Sequence, residues 1–369
     1  MKITINRTPE QVELVKLMAS KNKLKAIEAQ EAFAAFIAPV IQNILQQAPV
    51  ISRFYKDIAY DSNSNPSIPL DLYYDVTQKG LVRVWSQTMP GSLATAITQG
   101  ITEMIPSTYN LTSAVSFLKS YAAAGRLDVV AKTLERMAQE VLLKQEVNSA
   151  SVMLSALAGA QYGNTNAYQT IRSTNKANLV PNDLLRLMTL AARVNASWVG
   201  GTPTNAPRGL TDLILSPEAV EKVKGWAYEP LNTRGAAIPT QAGIAEQIYN
   251  TAGLPSIYGV TLNQVNEFGV GYSYNTIFDT AAGSNSYPAS PTGGSAAAFD
   301  GTSEEIIVGL DATRDNLLRP VLTNGNEGST FEISADDQFF VRSEKIGFYG
   351  KLREGRVAVD TRAMLGLIM

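Results

Sequence analysis

The stretch RLDVVAKTLERMAQEVLLKQEVNSASVMLSALAGA, from Arg126 to Ala160, decides the fold of this chain, because it carries one narrow apolar stripe and no proline. The stripe recurs at alternating steps of three and four residues, which is the spacing of one face of an α-helix. Its members are Leu127, Val130, Leu134, Met137 and Val141. Burying five such side chains contributes roughly 7 to 15 kcal/mol as an upper bound. The sequence therefore predicts a long helix over 126–160 that is held in place by packing.

The second half of this helix leaves two alternatives open. Asn148, Ser149 and Ser151 are weaker helix formers than the residues before them, since their side chains compete for backbone hydrogen bonds. The helix either continues to Leu157, over about 50 Å, or kinks near Ser149 and restarts.

Composition excludes several classes of site. The chain has 369 residues, a formal net charge of −2, no cysteine and no histidine. Thiol nucleophiles, disulfides, Cys/His zinc sites and serine–histidine mechanisms are therefore excluded, and no cofactor is expected. The first residues lack the basic-then-apolar pattern of a signal peptide. The longest apolar run, Ala32–Ile41, is too short to span a bilayer. We expect a soluble, intracellular protein with no membrane partner.

Residues 8–47 are predicted to be mostly helical, with a break near Pro39. Thr8 is a plausible N-cap and Pro9 takes the first helical position. An apolar patch that includes Phe33 and Phe36 needs a partner outside this segment, which favours an arm that packs on something else.

Four lysines fall close together in the same arm. A solvated helix face is the favoured interpretation of this cluster, ahead of a nucleic-acid site, because charge runs are usually solvated and the net charge gives no electrostatic drive toward nucleic acid. They are Lys16, Lys21, Lys23 and Lys25.

Two runs of alternating character flank the turn Gln78-Lys79-Gly80 and predict a strand–turn–strand unit over Leu70–Ser86. The surrounding region, 57–104, has too few bulky residues to form a core of its own. A lone two-stranded hairpin is marginal in water. We therefore expect an extended hairpin that lies on a neighbouring molecule, with Tyr73 and Trp85 on one of its faces.

The middle of the chain predicts a small α/β domain, because strands and helices alternate within a short span. Ser216 is predicted to cap a helix with Pro217 at its first position. The predicted helices are 182–194, one beginning at 217, and 240–252; the predicted strands are 212–215, 257–261 and 272–278.

The last third combines a loop and strands. Ala281–Gly301 is rich in glycine, serine and proline and is expected to be a mobile surface loop. A strand resumes at 304–309, and 317–322 is expected to pair with 330–333 as a hairpin across Asn324-Gly325. The terminal residues alternate apolar and charged over two strand-length runs joined at Glu354-Gly355, which ties the end of the chain into a sheet.

An enzymatic interpretation has little support. A carboxylate pair for glycoside hydrolysis could come from Asp311, Asp315, Asp336 and Asp337, but no aromatic-rich cleft is indicated around them and solvated loop acids are the better interpretation. No phosphate-binding Walker loop occurs, and Gly269-Val270-Gly271 lacks the third glycine of a dinucleotide fingerprint. We expect no catalytic, cofactor-binding or metal-binding residues.

Taken in order, these segments resemble a tailed-phage major capsid protein with the shell fold of Hong Kong 97 phage, a fold also found in encapsulins. The resemblance covers most of the chain and follows the layout of its segments more than any signature residue. It is carried by the helical arm, the hairpin at 80–89, the run 106–119 leading into the long helix, LILSPEAVEKV, LPSIYGV and the closing VRSEKIGFYGKLREGRVAVDTRAMLGL.

The resemblance implies an α+β fold and a division of the chain into named regions. The long helix would be the spine of a P-domain. The implied regions are an N-arm at 1–56, an E-loop at 57–104, the P-domain at 105–180 with its spine at 126–160, an A-domain at 181–332, and C-terminal strands at 333–369 that return to the P-domain.

The implied function is a major capsid protein that assembles into an icosahedral shell around double-stranded DNA; the alternative is an encapsulin-like compartment shell around cargo enzymes. Implied partners are further copies of the chain in hexamers and pentamers, a separate scaffolding protein, a portal, decoration proteins, and packaged DNA contacted without sequence specificity. The protein would be found in the virion after assembly in the host cytoplasm.

The residues expected at contacts between subunits are those of the hairpin, since it is the part that needs a neighbour. They are Tyr73, Lys79, Arg83 and Trp85. Some members of the family crosslink their subunits through a lysine, but Lys79 is interpreted as an ordinary surface lysine.

Overall fold

The computed structural model describes residues 8–47, 49–61, 64, 66–69, 103–162, 167–176, 178–199, 209–226, 256–313, 316–323, 331–336 and 344–369. The helices are α1 (Pro9–Met18), α2 (Lys23–Gln47), α3 (Lys119–Ala123), α4 (Leu127–Ala158), α5 (Pro181–Val199), α6 (Pro217–Gly225) and α7 (Ser273–Ala282), with short 3-10 turns at Ser52–Phe54 and Thr361–Ala363. The strands are β1 (Lys56–Tyr60), β2 (Ile68–Pro69), β3 (Glu103–Met104), β4 (Thr108–Leu118), β5 (Gln161–Tyr162), β6 (Ala167–Tyr168), β7 (Thr170–Arg172), β8 (Asp212–Leu215), β9 (Ser256–Ile257), β10 (Val260–Gln264), β11 (Ile306–Leu310), β12 (Leu317–Leu322), β13 (Phe331–Asp336), β14 (Lys345–Gly355), β15 (Val357–Ala358) and β16 (Met364–Ile368).

The chain divides into two compact units, each built from separate pieces of sequence. The first unit takes residues 1–67, 105–149 and 319–357, and the second takes 68–104, 150–318 and 358–369. Each unit combines helices with its own sheet, so the predicted α+β class is confirmed.

A long antiparallel pair forms the centre of the first unit. Strand β14 pairs with β4 along its whole length, from Lys345 opposite Leu118 to Gly355 opposite Thr108. Its other edge is shared by β13 and then β12, and β1 pairs beyond β12. Inward-facing side chains of this sheet, such as Phe348, join the buried stripe of α4 in one hydrophobic core.

Helix α4 confirms the prediction from its apolar stripe. All five stripe residues are buried, with Val130 at 0% and Met137 at 1% exposure. The helix runs unbroken from Leu127 to Ala158, a length of about 48 Å, so the kinked alternative is wrong. Ser149, where a kink was considered, donates its hydroxyl to the carbonyl of Gln145 one turn earlier, which satisfies the side chain without interrupting the helix.

The N-terminal arm is helical as predicted, but its break was misplaced. Thr8 caps α1 through Gln11 N, and Pro9 occupies the first turn. The helix does not break near Pro39; α2 continues to Gln47, and the interruption lies between the two helices at 19–22. A proline inside a helix removes a hydrogen bond, but the side chains that α2 buries on either side of it, including Phe33 and Ile41, outweigh that loss.

The second unit contains a mixed sheet in the order β7-β16-β11-β8-β10-β9. Strand β8 leads through Ser216, which caps α6, to β10, and β8 and β10 are parallel. This confirms the predicted strand–helix–strand unit. The last strand, β16, lies between β7 and β11 and is buried at every position.

Residues 272–278 were predicted to form a strand, and this is wrong. Residues 273–278 belong to α7, with Tyr272 at its N-cap, and the helix buries Tyr274, Asn275, Phe278 and Ala282. The β-forming character of Tyr, Thr, Ile and Phe suggested extended backbone, but the buried positions follow helical spacing. Tertiary packing overrode local propensity here.

The predicted pairing of 317–322 with 330–333 is also wrong. Strands β12 and β13 both pair with β14 rather than with each other. The terminal run forms β14, which ends at Gly355, and β15, which begins at Val357, so the junction lies at Arg356, directly after the predicted Glu354-Gly355. The long apolar face of β14 offers more burial than a short hairpin would.

The loop expected at 281–301 lies on the surface, but it is anchored. Tyr287 is fully buried and Phe299 is 5% exposed, and both rings pack against Phe278. The hydroxyl of Ser290 donates to the carbonyl of Ser173 at 2.8 Å. Two aromatic anchors therefore hold a segment that composition alone indicated to be mobile. The predicted helix at 240–252 lies outside the described residues.

Candidate assembly surfaces

The described outward-facing side chains of α2 between Ala32 and Val40 are apolar, although they are exposed. From Ala32 to Gln47 the helix has no charged residue. Phe33, on its inner face, is buried, whereas Phe36 and Val40 are 48% and 39% exposed. A surface helix normally opposes its apolar stripe with a polar face. An apolar, uncharged outer face with an exposed aromatic ring is typical of the centre of a protein–protein contact.

The predicted hairpin has a defined base in the described part of the chain. Strands β2 and β3 are antiparallel, with Ile68 opposite Met104 and Pro69 opposite Glu103. The chain therefore leaves this base at residue 69 and returns to it at 103. The residues predicted to contact a neighbour lie between these points and outside the described residues; they are Tyr73, Lys79, Arg83 and Trp85.

The segment that joins α2 to β1 is fastened to α4 by hydrogen bonds. The carboxylate of Glu146 accepts the backbone N–H groups of Ile51 at 2.8 Å and Ser52 at 3.1 Å. The hydroxyls of Ser52 and Ser149 lie 2.7 Å apart, and the Tyr55 hydroxyl donates to the Ser149 carbonyl at 2.7 Å. The charge on Glu146 also strengthens its two bonds. The start of β1 is thereby fixed against the helix.

A buried ionic network lies beside these hydrogen bonds. Glu354 is fully buried, and one of its oxygens accepts from Arg319 Nε at 2.9 Å and from Gln145 Nε2 at 3.1 Å. Arg356 donates to both carboxylate oxygens at 3.3 to 3.4 Å. Arg319 also contacts Asp57, on β1, at 3.4 Å. The network thus joins α4, β12, β14 and β1.

Aromatic rings complete the surroundings of Glu354. The guanidinium of Arg356 lies 5.0 Å from the ring centroid of Tyr55, which provides a cation–π contact. Tyr109 donates to Glu354 at 3.4 Å and accepts from Asn148. Burial raises the pKa of Tyr109, and the negative charge of Glu354 raises it further. Tyr109 therefore stays neutral and acts as a hydrogen-bond donor.

This network was not predicted from the sequence, although one signal pointed to it. Along β14 the inward-facing positions are the even-numbered ones, with Ile346, Phe348 and Leu352 all buried. Glu354 is also an even-numbered position, so the alternation of the strand alone predicts that its carboxylate faces the core. A charge at such a position requires partners, and Arg356 was the one close in sequence.

The second unit has a polar cavity of about 210 Å³, lined in part by Arg172, Ser173, Ser290 and Glu304. Arg172 and Glu304 form an ion pair at its wall, and Arg172 also donates to the carbonyls of two residues in the 281–301 loop. These contacts fix the loop. Lys176 and the last residue of the chain, Met369, line the same cavity.

One buried carboxyl in the second unit, that of Glu305, is held by a hydroxyl group. Glu305 is 4% exposed, and both of its oxygens accept from the hydroxyl of Ser216, the cap of α6, at 3.0 and 3.1 Å. Burial raises the pKa of Glu305, and the nearby charge of Glu218 adds to the shift. The hydrogen bonds from Ser216 therefore couple the start of α6 to the protonation of Glu305.

Two of the four acids considered for hydrolysis lie in the described part of the chain. Asp311 accepts from the backbone and hydroxyl of Thr313 in the second unit, and Asp336 ends β13 in the first unit. Asp315 and Asp337 lie outside the described residues. Within the described ranges, no group of three or more acidic residues is placed to hold a metal. The same ranges contain no helix that is long and apolar enough to cross a membrane.

No protein-family model matches the chain, and no curated protein matches it. Among solved structures, the chain is similar to the capsid of cyanophage P-SCSP1u, with 13% identity, 87% of this chain and 88% of that chain covered, and a TM-score of 0.49.

Two further structures are similar over much of the chain. One is the capsid of a native GTA particle, with 11% identity, coverage of 87% and 89%, and a TM-score of 0.47. The other is the SrpI encapsulin complex of Synechococcus elongatus, with 11% identity, coverage of 72% and 74%, and a TM-score of 0.41.

Proposed function

We propose that this chain is the major capsid protein of a tailed phage, a structural subunit whose copies assemble into a closed shell around double-stranded DNA. The observation that carries the self-assembly is the exposed apolar face of α2, centred on Phe36. Leaving such a face in water is unfavourable by about 25 cal/mol for each Å². A further copy of the chain would cover it.

The shell form of the assembly follows from the layout of the chain. The arm, the hairpin base formed by β2 and β3, and the long helix α4 over the β4–β14 sheet occur in the order that the resemblance implies. We therefore equate α4 with the spine and residues 57–104 with the extended loop. The loop would lie on a neighbouring subunit and be seated by the bonds from Glu146 and by the Glu354 network.

The subunit acts through shape and interfaces, not through a chemical site. Further parts of this proposal are hexamers and pentamers of the chain, a separate scaffolding protein, a portal, decoration proteins, and location in the virion after assembly in the host cytoplasm. Contacts between subunits through Tyr73, Lys79, Arg83 and Trp85 also belong to it.

The first test is electron microscopy of the purified protein, combined with an assay for nucleic acid inside the particles. Shells that protect DNA from nuclease are expected. Shells that contain only protein cargo would favour the compartment alternative. A stable monomer of 39.7 kDa across protein and salt concentrations would refute assembly altogether.

A pair of variants tests the interface. Phe36→Asp is expected to leave helix content unchanged, because the ring is half exposed, and to abolish shells, because it puts a charge at the centre of a contact. Val270→Asp alters a similarly exposed apolar side chain in the second unit and serves as the control. Normal shells from Phe36→Asp would show that this face is not a contact.

The predicted loop is tested separately by replacing residues 75–84 with a short Gly/Ser linker. We expect a folded, soluble subunit with near-native circular dichroism that no longer forms shells. Full-sized shells, or a globally unfolded chain, would contradict the assignment of the loop.

A further inference from the structure

The turn between α1 and α2 concentrates positive charge on the surface. In the sequence KLMASKNKLK, residues 16–25, four of ten residues are lysine, and no acid occurs between Glu13 and Glu28. All four lysines are exposed. Among the described residues, none of the four forms an ion pair. We call residues 16–25 the basic turn.

A second segment, distant in sequence, adds to this charge. Lys119 Nζ donates to the carbonyl of Ser20 in the basic turn at 3.4 Å. The stem of Lys16 packs on Gly125, since its Cε lies 3.1 Å from the position of a Cβ there, and the exposed Arg126 follows directly. The fold therefore brings six basic side chains together from two parts of the chain.

Four acids border the same surface and offset part of its charge. The exposed Glu13 and Glu28 lie three residues from Lys16 and Lys25, the carbonyl of Glu344 accepts the Lys119 N–H at 2.8 Å, and the exposed Asp128 follows Arg126 by two residues. Since the whole chain carries −2 and these ten residues carry +2, the remaining residues carry −4. The basic turn is thus a local reversal of the protein's overall charge.

The backbone of the basic turn is held in a defined conformation. Ser20 Oγ accepts the N–H of Asn22, and Asn22 Oδ1 accepts the N–H of Leu24, each at 3.2 Å. The turn also lies between two helices whose buried faces belong to the core of the first unit. Lysines carried on a fixed backbone keep their spacing, whereas lysines on a loose tail do not.

We propose that the basic turn, with Lys119 and Arg126, is the surface through which this subunit binds the phosphate backbone of the enclosed DNA. This rests on the proposed function, because it identifies the part of the shell protein that meets the packaged nucleic acid. Lysine neutralises phosphates as a point charge and reads no base. Binding is therefore independent of sequence and falls steeply with salt.

The test measures binding of a short fluorescent DNA duplex to the unassembled full-length subunit over a range of salt concentrations. The variant carries Lys21→Gln, Lys23→Gln and Lys25→Gln. The matched control carries Lys176→Gln, Lys222→Gln and Lys224→Gln, which removes three exposed lysines from the second unit. A third variant, with the three lysines of the turn changed to arginine, keeps the charge and checks that the turn still folds.

The glutamine variant is expected to flatten the slope of log K against log salt by about 2 to 3, because each phosphate contact contributes about 0.9 for duplex DNA. Its affinity at low salt should fall about tenfold or more, while the control and the arginine variant bind like the original protein. If the glutamine variant kept the slope and affinity of the control, the basic turn would not be the DNA surface.

Two further measurements separate this inference from the alternatives. If binding of poly-glutamate falls while duplex binding is unchanged, the turn binds an acidic protein and the inference is overturned. Electron microscopy of the same preparations tests assembly independently. Shells that package DNA normally in the glutamine variant would overturn the inference and leave the proposed function standing, whereas the absence of shells from the original protein would count against the function itself.

Discussion

Removing the charge of Glu354 is expected to destabilise the first unit strongly. The carboxylate is fully buried and lies between the guanidinium groups of Arg319 and Arg356. Glu354→Gln keeps the size of the side chain and removes only the negative charge. Arg319 retains Asp57 at 3.4 Å, but Arg356 loses the carboxylate that contacts it at 3.3 Å. The energetic cost therefore falls mainly on Arg356.

The magnitude follows from the cost of a buried charge without its partner, about 3 to 5 kcal/mol. Domains are typically stable by about 5 to 15 kcal/mol, so a large part of the stability would be lost. The effect is measured by urea unfolding of the unassembled subunit, followed by circular dichroism. Glu332→Gln, at an exposed position on β13, removes the same charge without burial and should change the unfolding free energy by less than about 0.5 kcal/mol.

A second substitution separates charge from packing. In Glu354→Gln combined with Arg356→Met, both charges of the buried pair are removed, so neither charge is left buried without its partner. We expect the double variant to recover most of the lost stability. Two results would refute the electrostatic reasoning. One is an unfolding free energy of Glu354→Gln within about 1 kcal/mol of the original protein; the other is a double variant whose loss of unfolding free energy equals the sum of the losses in the two single variants.

Gly350→Ala should destabilise by about 1 to 3 kcal/mol, because a Cβ there would lie 2.6 Å from Phe331 Cζ; adding Phe331→Leu should restore part of the loss in the same urea assay. Burial raises the pKa of Glu305 in the folded protein. The buried, protonated carboxyl therefore contributes to stability below the ordinary pKa of glutamate, and this contribution is lost as pH rises through the raised pKa. Glu305→Gln should therefore increase the melting temperature more at pH 8 than at pH 4, and an equal change at both would contradict the argument. A short flexible insertion after Gly294, which is exposed with positive φ, should leave soluble expression intact, whereas Tyr287→Ala should cost about 3 to 5 kcal/mol.

Features that depend on neighbours in the chain were predictable from the sequence. The stripe of α4 is buried because a helix places residues three and four apart on one face. Thr8 and Ser216 cap their helices because their hydroxyl oxygens accept a backbone N–H of the first turn, and each precedes a proline suited to that turn. The strand at 212–215 and its following helix are equally local. These outcomes depend on backbone geometry, which the order of residues specifies directly.

Features that depend on distant partners were decided by tertiary structure. Helix α2 continues through Pro39 because its buried side chains fill a core made by other segments, and packing of several kcal/mol exceeds the local penalty of about 3 kcal/mol. Residues 272–278 became helix for a similar reason, since propensity differences are only tenths of a kcal/mol per residue. Strand β14 likewise took both β12 and β13 as partners on one edge.

The candidate surfaces divide in the same way. An uncharged stretch from Ala32 to Gln47 and a cluster of lysines at 16–25 are visible in the sequence. Only the fold shows that Phe36 remains exposed, and that Lys119 and Arg126 join the lysines from about a hundred residues away. Composition thus determines which charges and apolar groups the chain possesses. The folded chain decides which of these groups share a surface. A shared surface requires contacts between segments that are distant in sequence, and their separation in sequence carries no information about their distance in space.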